Sequence, residues 1–169
     1  MGELEEVRAL LSGQRSGTLA TIGSAPGPMS TSASAAAAGF PFGSVVAYAL
    51  DADGSPLLCL SDLAEHSRNL AADPRASLLV AEPAPGNTDP LAAPRATLVG
   101  RVWVLHGDER TRGLAAYRRT FPDAGYIDFA DFQLYRLEVR TIRFVAGFGR
   151  MAWLEPDELE PGQKPSLRS

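Results

Sequence analysis

Phe42-Gly43-Ser44-Val45-Val46-Ala47-Tyr48-Ala49-Leu50, Asp51-Ala52-Asp53-Gly54-Ser55, Pro56-Leu57-Leu58-Cys59-Leu60-Ser61 is the stretch on which the fold turns. Two apolar runs flank a spacer in which Asp-Gly supplies the positive-φ positions of a hairpin, so strands are predicted over 42–50 and 56–61. Upstream, Gly17-Thr18-Leu19-Ala20-Thr21-Ile22-Gly23 reads as a short strand bounded by glycines. Leu4, Val7, Leu10 and Leu11 recur at helical spacing, which predicts a helix over 2–12. Residues 24–40 are rich in Ala, Ser, Gly and Pro without periodicity, and read as a flexible loop or insertion. Downstream, a helix is expected over 63–72, capped by Asp62 and stopped by Asp73-Pro74. Strands are expected over 76–81, 96–105, 132–139 and 142–147, with a helix capped by Asp108 running to about Thr120. Helices this short between strands suit an antiparallel sheet that closes on itself, because parallel crossovers need longer helices. The class is mainly β with short helices (α+β), in a single domain over 1–155 followed by a tail over 156–169.

The chain has 169 residues, 45% of them hydrophobic and 21% charged, which is enough for one core without covalent staples. A net charge of −4 argues against nucleic acid as the partner, since that needs clustered basic excess. Lys164 is the one lysine, so the cations are nearly all guanidinium groups, a form suited to carboxylate and phosphate. The single cysteine, Cys59, lies in a strand-like apolar run and reads as core. No signal-peptide pattern is visible at the acidic amino terminus, and no apolar run approaches the roughly 20 residues that cross a bilayer. No membrane contact and a cytoplasmic location are therefore expected.

Common catalytic signatures are missing. The two histidines, His66 and His106, stand 40 positions apart without zinc-site spacing. Neither a P-loop nor a dinucleotide fingerprint is present, and Gly43-Ser44 lacks the frame of a nucleophile elbow. The informative constellation is Ser61-Asp62-Leu63-Ala64-Glu65-His66-Ser67-Arg68-Asn69-Leu70, where a strand runs into a helix. Backbone N–H groups at such a junction can seat a phosphate, with hydroxyls of Ser61 and Ser67 and cations of His66 and Arg68 as further donors. The same pattern also describes an ordinary capped helix with solvated polar residues.

The order of these segments resembles the FMN-binding split-barrel family related to pyridoxamine-phosphate oxidase. The resemblance runs through 42–50, the strand into Ser61-Asp62, His66-Ser67-Arg68-Asn69-Leu70 and Asp73-Pro74-Arg75-Ala76-Ser77-Leu78. It continues in Arg95-Ala96-Thr97-Leu98-Val99-Gly100-Arg101 and Ala116-Tyr117-Arg118-Arg119-Thr120-Phe121-Pro122. Asp131-Phe132-Gln133-Leu134-Tyr135-Arg136-Leu137 and Gly147-Phe148-Gly149-Arg150-Met151-Ala152-Trp153-Leu154 are similar to the haem-utilisation (HugZ-type) branch, which includes CREG-like proteins.

The resemblance implies a six-stranded antiparallel split β-barrel working as a homodimer, with FMN at the interface and a small-molecule substrate or electron partner. FMN would lie against Ser44, Val45, Val46 and Tyr48, with its phosphate near Ser61, His66, Ser67 and Arg68 and its ring near Arg95. A barrel-wall arginine and lysine of the oxidases fall at Gly43 and Tyr48, and their carboxy-terminal substrate segment has no counterpart, so pyridoxamine-phosphate oxidation itself is not expected. The leading expectation is a flavin-dependent oxidoreductase. The alternatives are a haem-binding or haem-degrading protein of HugZ type, whose iron would have to enlist His66 or His106, and a non-catalytic CREG-like module.

Overall fold

A computed structural model describes residues 2–84, 86, 89–147 and 149–156; of the tail expected over 156–169, residues 157–169 lie outside the described residues. Seven strands follow one another: β1 (Ser16–Ile22), β2 (Pro41–Leu50), β3 (Pro56–Ser61), β4 (Arg75–Ala81), β5 (Arg95–Val104), β6 (Phe132–Val145) and β7 (Met151–Leu154). Among the described residues four α-helices accompany them: α1 (Glu3–Gly13), α2 (Ser32–Ala35), α3 (Glu65–Ala72) and α4 (Gly107–Thr120). The sheet order is β3-β2-β1-β4-β5-β6-β7, and a further β3–β6 pairing closes the first six strands into the expected antiparallel barrel. One edge of β6 carries β3 along its first half, with Ser61 opposite Phe132 and Leu57 opposite Arg136. The same edge carries β7 along its second half, with Ile142 opposite Leu154. None of the described helices is long and apolar enough to cross a membrane.

Two packed clusters hold the fold. Inside the barrel, Leu19, Val46, Tyr48, Leu78, Leu98, Leu137 and Phe144 meet Val7, Leu10 and Leu11 from α1. The Tyr48 hydroxyl donates to the Leu11 carbonyl at 2.7 Å, satisfying both groups away from water. Outside it, α4 lays Ala116 and Tyr117 over Leu57, Cys59 and Leu134. β3 is thus covered on both faces, which explains an apolar run without alternation and confirms Cys59 as core. At the β2–β3 turn Gly54 takes φ 83°, the backbone that Asp-Gly predicted. Arg136 on β6 reaches over this turn, donating to Asp51 at 2.8 Å, to Asp53, and to Ser55 Oγ at 3.2 Å.

Four local expectations are corrected. The two strands expected over 132–139 and 142–147 are the single strand β6. Pairing with β5 jumps from Val99–Thr141 to Gly100–Val139, leaving Arg140 as the extra residue of a β-bulge. Asp62 does not cap α3: the helix begins at Glu65 with Ala64 in the cap position and no side-chain bond there. Asp108 lies inside the first turn of α4, whose cap is His106. The 24–40 segment contains the one-turn α2, capped by Thr31. Its ends are fixed by Gly39 N–H donating to the Gly23 carbonyl and Ser24 N–H to Asn69 Oδ1, both at 2.8 Å.

Candidate functional site

The strand–helix junction is tied together internally. Ser61 Oγ donates to Asp131 Oδ2 at 2.7 Å and accepts from Leu63 N–H at 3.2 Å, while Asp62 N–H donates to the Asp131 carbonyl at 2.7 Å. Asp131 therefore laces the end of β3 to the start of β6. Arg68 turns along its own helix to Glu65 at 2.5 Å and to the Leu63 carbonyl at 3.0 Å. Ser67 is buried, and its hydroxyl, close to Tyr135, has no hydrogen-bond partner among the described residues. His66 is half-buried, and that burial holds its imidazole below the usual range, favouring the neutral ring. Asn69, fully buried, donates to Thr21 Oγ1 at 3.0 Å and so pins α3 to β1.

Of the donors expected for a phosphate, Ser61 and Arg68 are accordingly engaged within the chain and Ser67 is enclosed, while His66 is half-buried. An anion set at the junction would also meet the carboxylates of Asp62 and Asp131. The geometry is that of a cross-linked corner.

β2 and Arg95 do not converge on the junction either. Strand alternation turns Val46 and Tyr48 into the core and Val45 outward, 81% exposed, so these neighbours cannot form one cofactor wall. Tyr48 has spent its hydroxyl on α1, and Ser44 is half-buried opposite Leu19. Arg95 donates to the Leu91 and Ala93 carbonyls and stands opposite Val145, at the far end of β6 from the Phe132–Ser61 pair. That separation is on the order of 40 Å of extended chain. Ser61 and Arg95 can share a site only if two copies of the chain bring opposite barrel ends together.

A different feature emerges on the outer face of the sheet. A groove of about 510 Å³ runs over β1, β4 and β5, with Ala20, Ile22 and Val99 in its floor and Arg75, Arg101 and Arg140 around it. Sequence dictates this locally. A Cβ on Gly100 would lie 2.0 Å from the Glu138 carbonyl oxygen, so glycine permits the close approach of β5 and β6 at the bulge. The bulge carries Arg140, its guanidinium 3.7 Å from Glu138 and largely exposed. Arg75 is opposite Arg101 in the ladder and is clasped by Asp73 at 2.5 Å; those bonds hold the Asp73 carboxyl down to about 2. Arg101 has no ion pair among the described residues and acts on Asp73 only through space. The groove thus offers two arginines with carboxylate partners, Arg75 closely held and Arg140 loosely paired in solvent, and one, Arg101, without an ion pair among the described residues, beside apolar side chains.

Beside it, register aligns Val45, Thr18, Leu79, Thr97, Arg143 and Trp153 in one row across six strands. Leu79 is 39% and Trp153 63% exposed, and Arg143 lies over the Trp153 ring, 5.4 Å from its centroid. None of these groove arginines was singled out by sequence reasoning. Alternation along 95–101 could have placed Arg101 outward with Val99, but nothing local announces the bulge that aims Arg140.

Comparison with known proteins agrees with the architecture. The chain is 35% identical over 147 residues to the chloroplastic heme oxygenase HOZ of Arabidopsis thaliana, covering 87% of this chain and 41% of that protein. It superposes on a heme binding protein from Mycobacterium smegmatis with a TM-score of 0.79 and 38% identity, over 94% of this chain and 60% of the other. The chain therefore spans about half the length of these relatives. HutZ, a heme storage protein of Vibrio cholerae, has the same fold at 19% identity and a TM-score of 0.61, over 83% of this chain and 92% of that one. The family model for the CREG β-barrel matches residues 4–160, nearly the whole chain, and this protein belongs to that family.

Proposed function

We propose that the chain binds haem in the arginine-rimmed groove and works as a homodimer packed through the neighbouring apolar row. The carrying observation is the pairing of an apolar floor with the guanidinium groups of Arg101 and Arg140. Haem is a flat apolar macrocycle with two carboxylates, and guanidinium binds carboxylate in a planar fork worth more than a neutral hydrogen bond. A cavity of this size is ordinary for such a ligand. Likeness to a heme binding protein and a heme oxygenase supports the reading over flavin, whose phosphate would meet Asp62 and Asp131 at the corner first expected to hold it. The ring and its carboxylates fit the groove residues. Bound haem would supply the redox chemistry, and this chain's residues would orient the ring and hold its carboxylates.

The dimer rests on the row from Val45 to Trp153, where Val45, Leu79 and Trp153 stand exposed between Thr18, Thr97 and Arg143. A second copy covering that row would also wall the groove and bring barrel ends of two protomers together.

Haemin titration followed by the Soret band tests the site, with FMN in a parallel titration. Saturable haemin binding that weakens about tenfold in Arg101→Ala/Arg140→Ala supports it. Tight FMN binding with no haemin response would restore the flavin reading, and indifference to both ligands would favour a non-catalytic module. Light scattering of Leu79→Arg tests the dimer; a native dimer that becomes monomeric in the variant is the expected result. With a reductant and dioxygen both supplied, decay of the Soret band would signal oxidative ring opening, and its persistence would make the chain a haem carrier.

A further inference from the structure

Among the described residues of one protomer, the groove has no side chain that could take an axial position on iron. The whole sequence contains two histidines, one cysteine, three methionines and four tyrosines. His66 lies on α3, and His106 lines a separate cavity with Trp103 and Tyr135 beyond the end of β5. Cys59 is buried under α4, its thiol pushed up to about 11 by burial. Tyr48, Tyr117 and Tyr135 are core residues, and Tyr126 shares a hydrogen bond with Tyr117. Met29 lies over the 24–34 segment, and Met151 pairs with Val145, five residues along β6 from Arg140. Iron is normally held by an imidazole, thiolate, thioether or phenolate, and none of these lines the groove among the described residues of one protomer. What does line it is apolar surface from Ala20, Ile22 and Val99 with three arginine side chains beside it.

Resting on the haem reading above, we infer that the groove selects the dicarboxylate tetrapyrrole ring and is indifferent to the metal, so that metal-free protoporphyrin binds about as tightly as haem. Affinity then comes from ring burial against Ala20, Ile22 and Val99, from the Arg101 guanidinium, and from Arg140, whose 3.7 Å pairing with Glu138 is loose and solvent-exposed. Esterifying the carboxylates should weaken binding where removing the metal does not.

The test titrates the intact chain with haemin, metal-free protoporphyrin and protoporphyrin dimethyl ester, following quenching of Trp103 and Trp153 fluorescence and porphyrin anisotropy. Dissociation constants for haemin and protoporphyrin within about threefold of each other are expected, with the dimethyl ester at least about tenfold weaker. Arg101→Gln/Arg140→Gln should weaken both acids equally and leave the ester unchanged; the ester arm stands even if that variant folds poorly. Haemin binding more than about tenfold tighter than protoporphyrin, with a low-spin spectrum lost in His66→Ala or His106→Ala, would overturn metal indifference while leaving haem binding intact. Failure of haemin and protoporphyrin alike would overturn both.

Discussion

Replacing Gly100 by alanine would place a methyl group 2.0 Å from the Glu138 carbonyl oxygen, 2.9 Å from its carbon and 3.1 Å from Val139 Cα. Ordinary van der Waals contact begins at 3.4 Å, so the oxygen must retreat by 3.4 − 2.0, or 1.4 Å. Every nearby atom is backbone, so no side chain can swing away and strand β6 itself must move. Overpacking of this kind costs about 1–3 kcal/mol, and a rigid backbone neighbour puts Gly100→Ala near the upper end, about 3 kcal/mol. For a chain of this length each kcal/mol lowers the melting temperature by about 2–4 °C, giving a fall of about 6–12 °C. Because Arg140 rides on the same bulge, haemin affinity should fall together with stability. Thermal melts by circular dichroism and a haemin titration on one preparation read both effects. A variant that melts within about 2 °C of the native chain and binds haemin equally well would refute the argument from the bulge.

Three further outcomes follow from the described contacts. Arg136→Met should cost about 2 kcal/mol in urea unfolding, because a half-buried guanidinium bridging Asp51 and Asp53 joins the hairpin to β6; in an Asp51→Asn background the loss should shrink by at least half. Tyr48→Phe should cost about 1–2 kcal/mol with no change in haemin affinity, since it orphans the buried Leu11 carbonyl far from the groove. Burial lowers the His66 pKa below 6.5, so the unfolded chain takes up a proton first as the pH falls. Stability should drop as the pH passes down through about 6.5, and His66→Gln should flatten that slope in urea titrations across the range.

Much of the barrel was legible because its signals are local. The Asp-Gly turn, the alternation of 75–81 and the helical spacing of Val7, Leu10 and Leu11 each depend on neighbours within a few positions. Cys59 was read correctly as core because an unalternating apolar run demands cover on both faces. What the sequence left hidden shares a physical cause. Ser61 reads as a free hydroxyl in the sequence, whereas in the fold it donates a hydrogen bond to Asp131, seventy positions later. Tyr48 looked like a wall residue because its partner, the Leu11 carbonyl, is a backbone group with no sequence signature. The bulge at Arg140 exists only in the relation between two strands, and the sequence around it reads as an ordinary break between elements.

The seam between β3 and β6 joins residues more than seventy positions apart, from Ser61–Phe132 to Leu57–Arg136. Closing so wide a loop is entropically costly and slow. On the ribosome, the first five strands must wait as an open sheet with a bare β3 edge until the residues of β6 clear the exit tunnel. Resistance of nascent chains to protease should therefore arise late and abruptly, and a transcript cut before that point would yield a species prone to pair edge to edge.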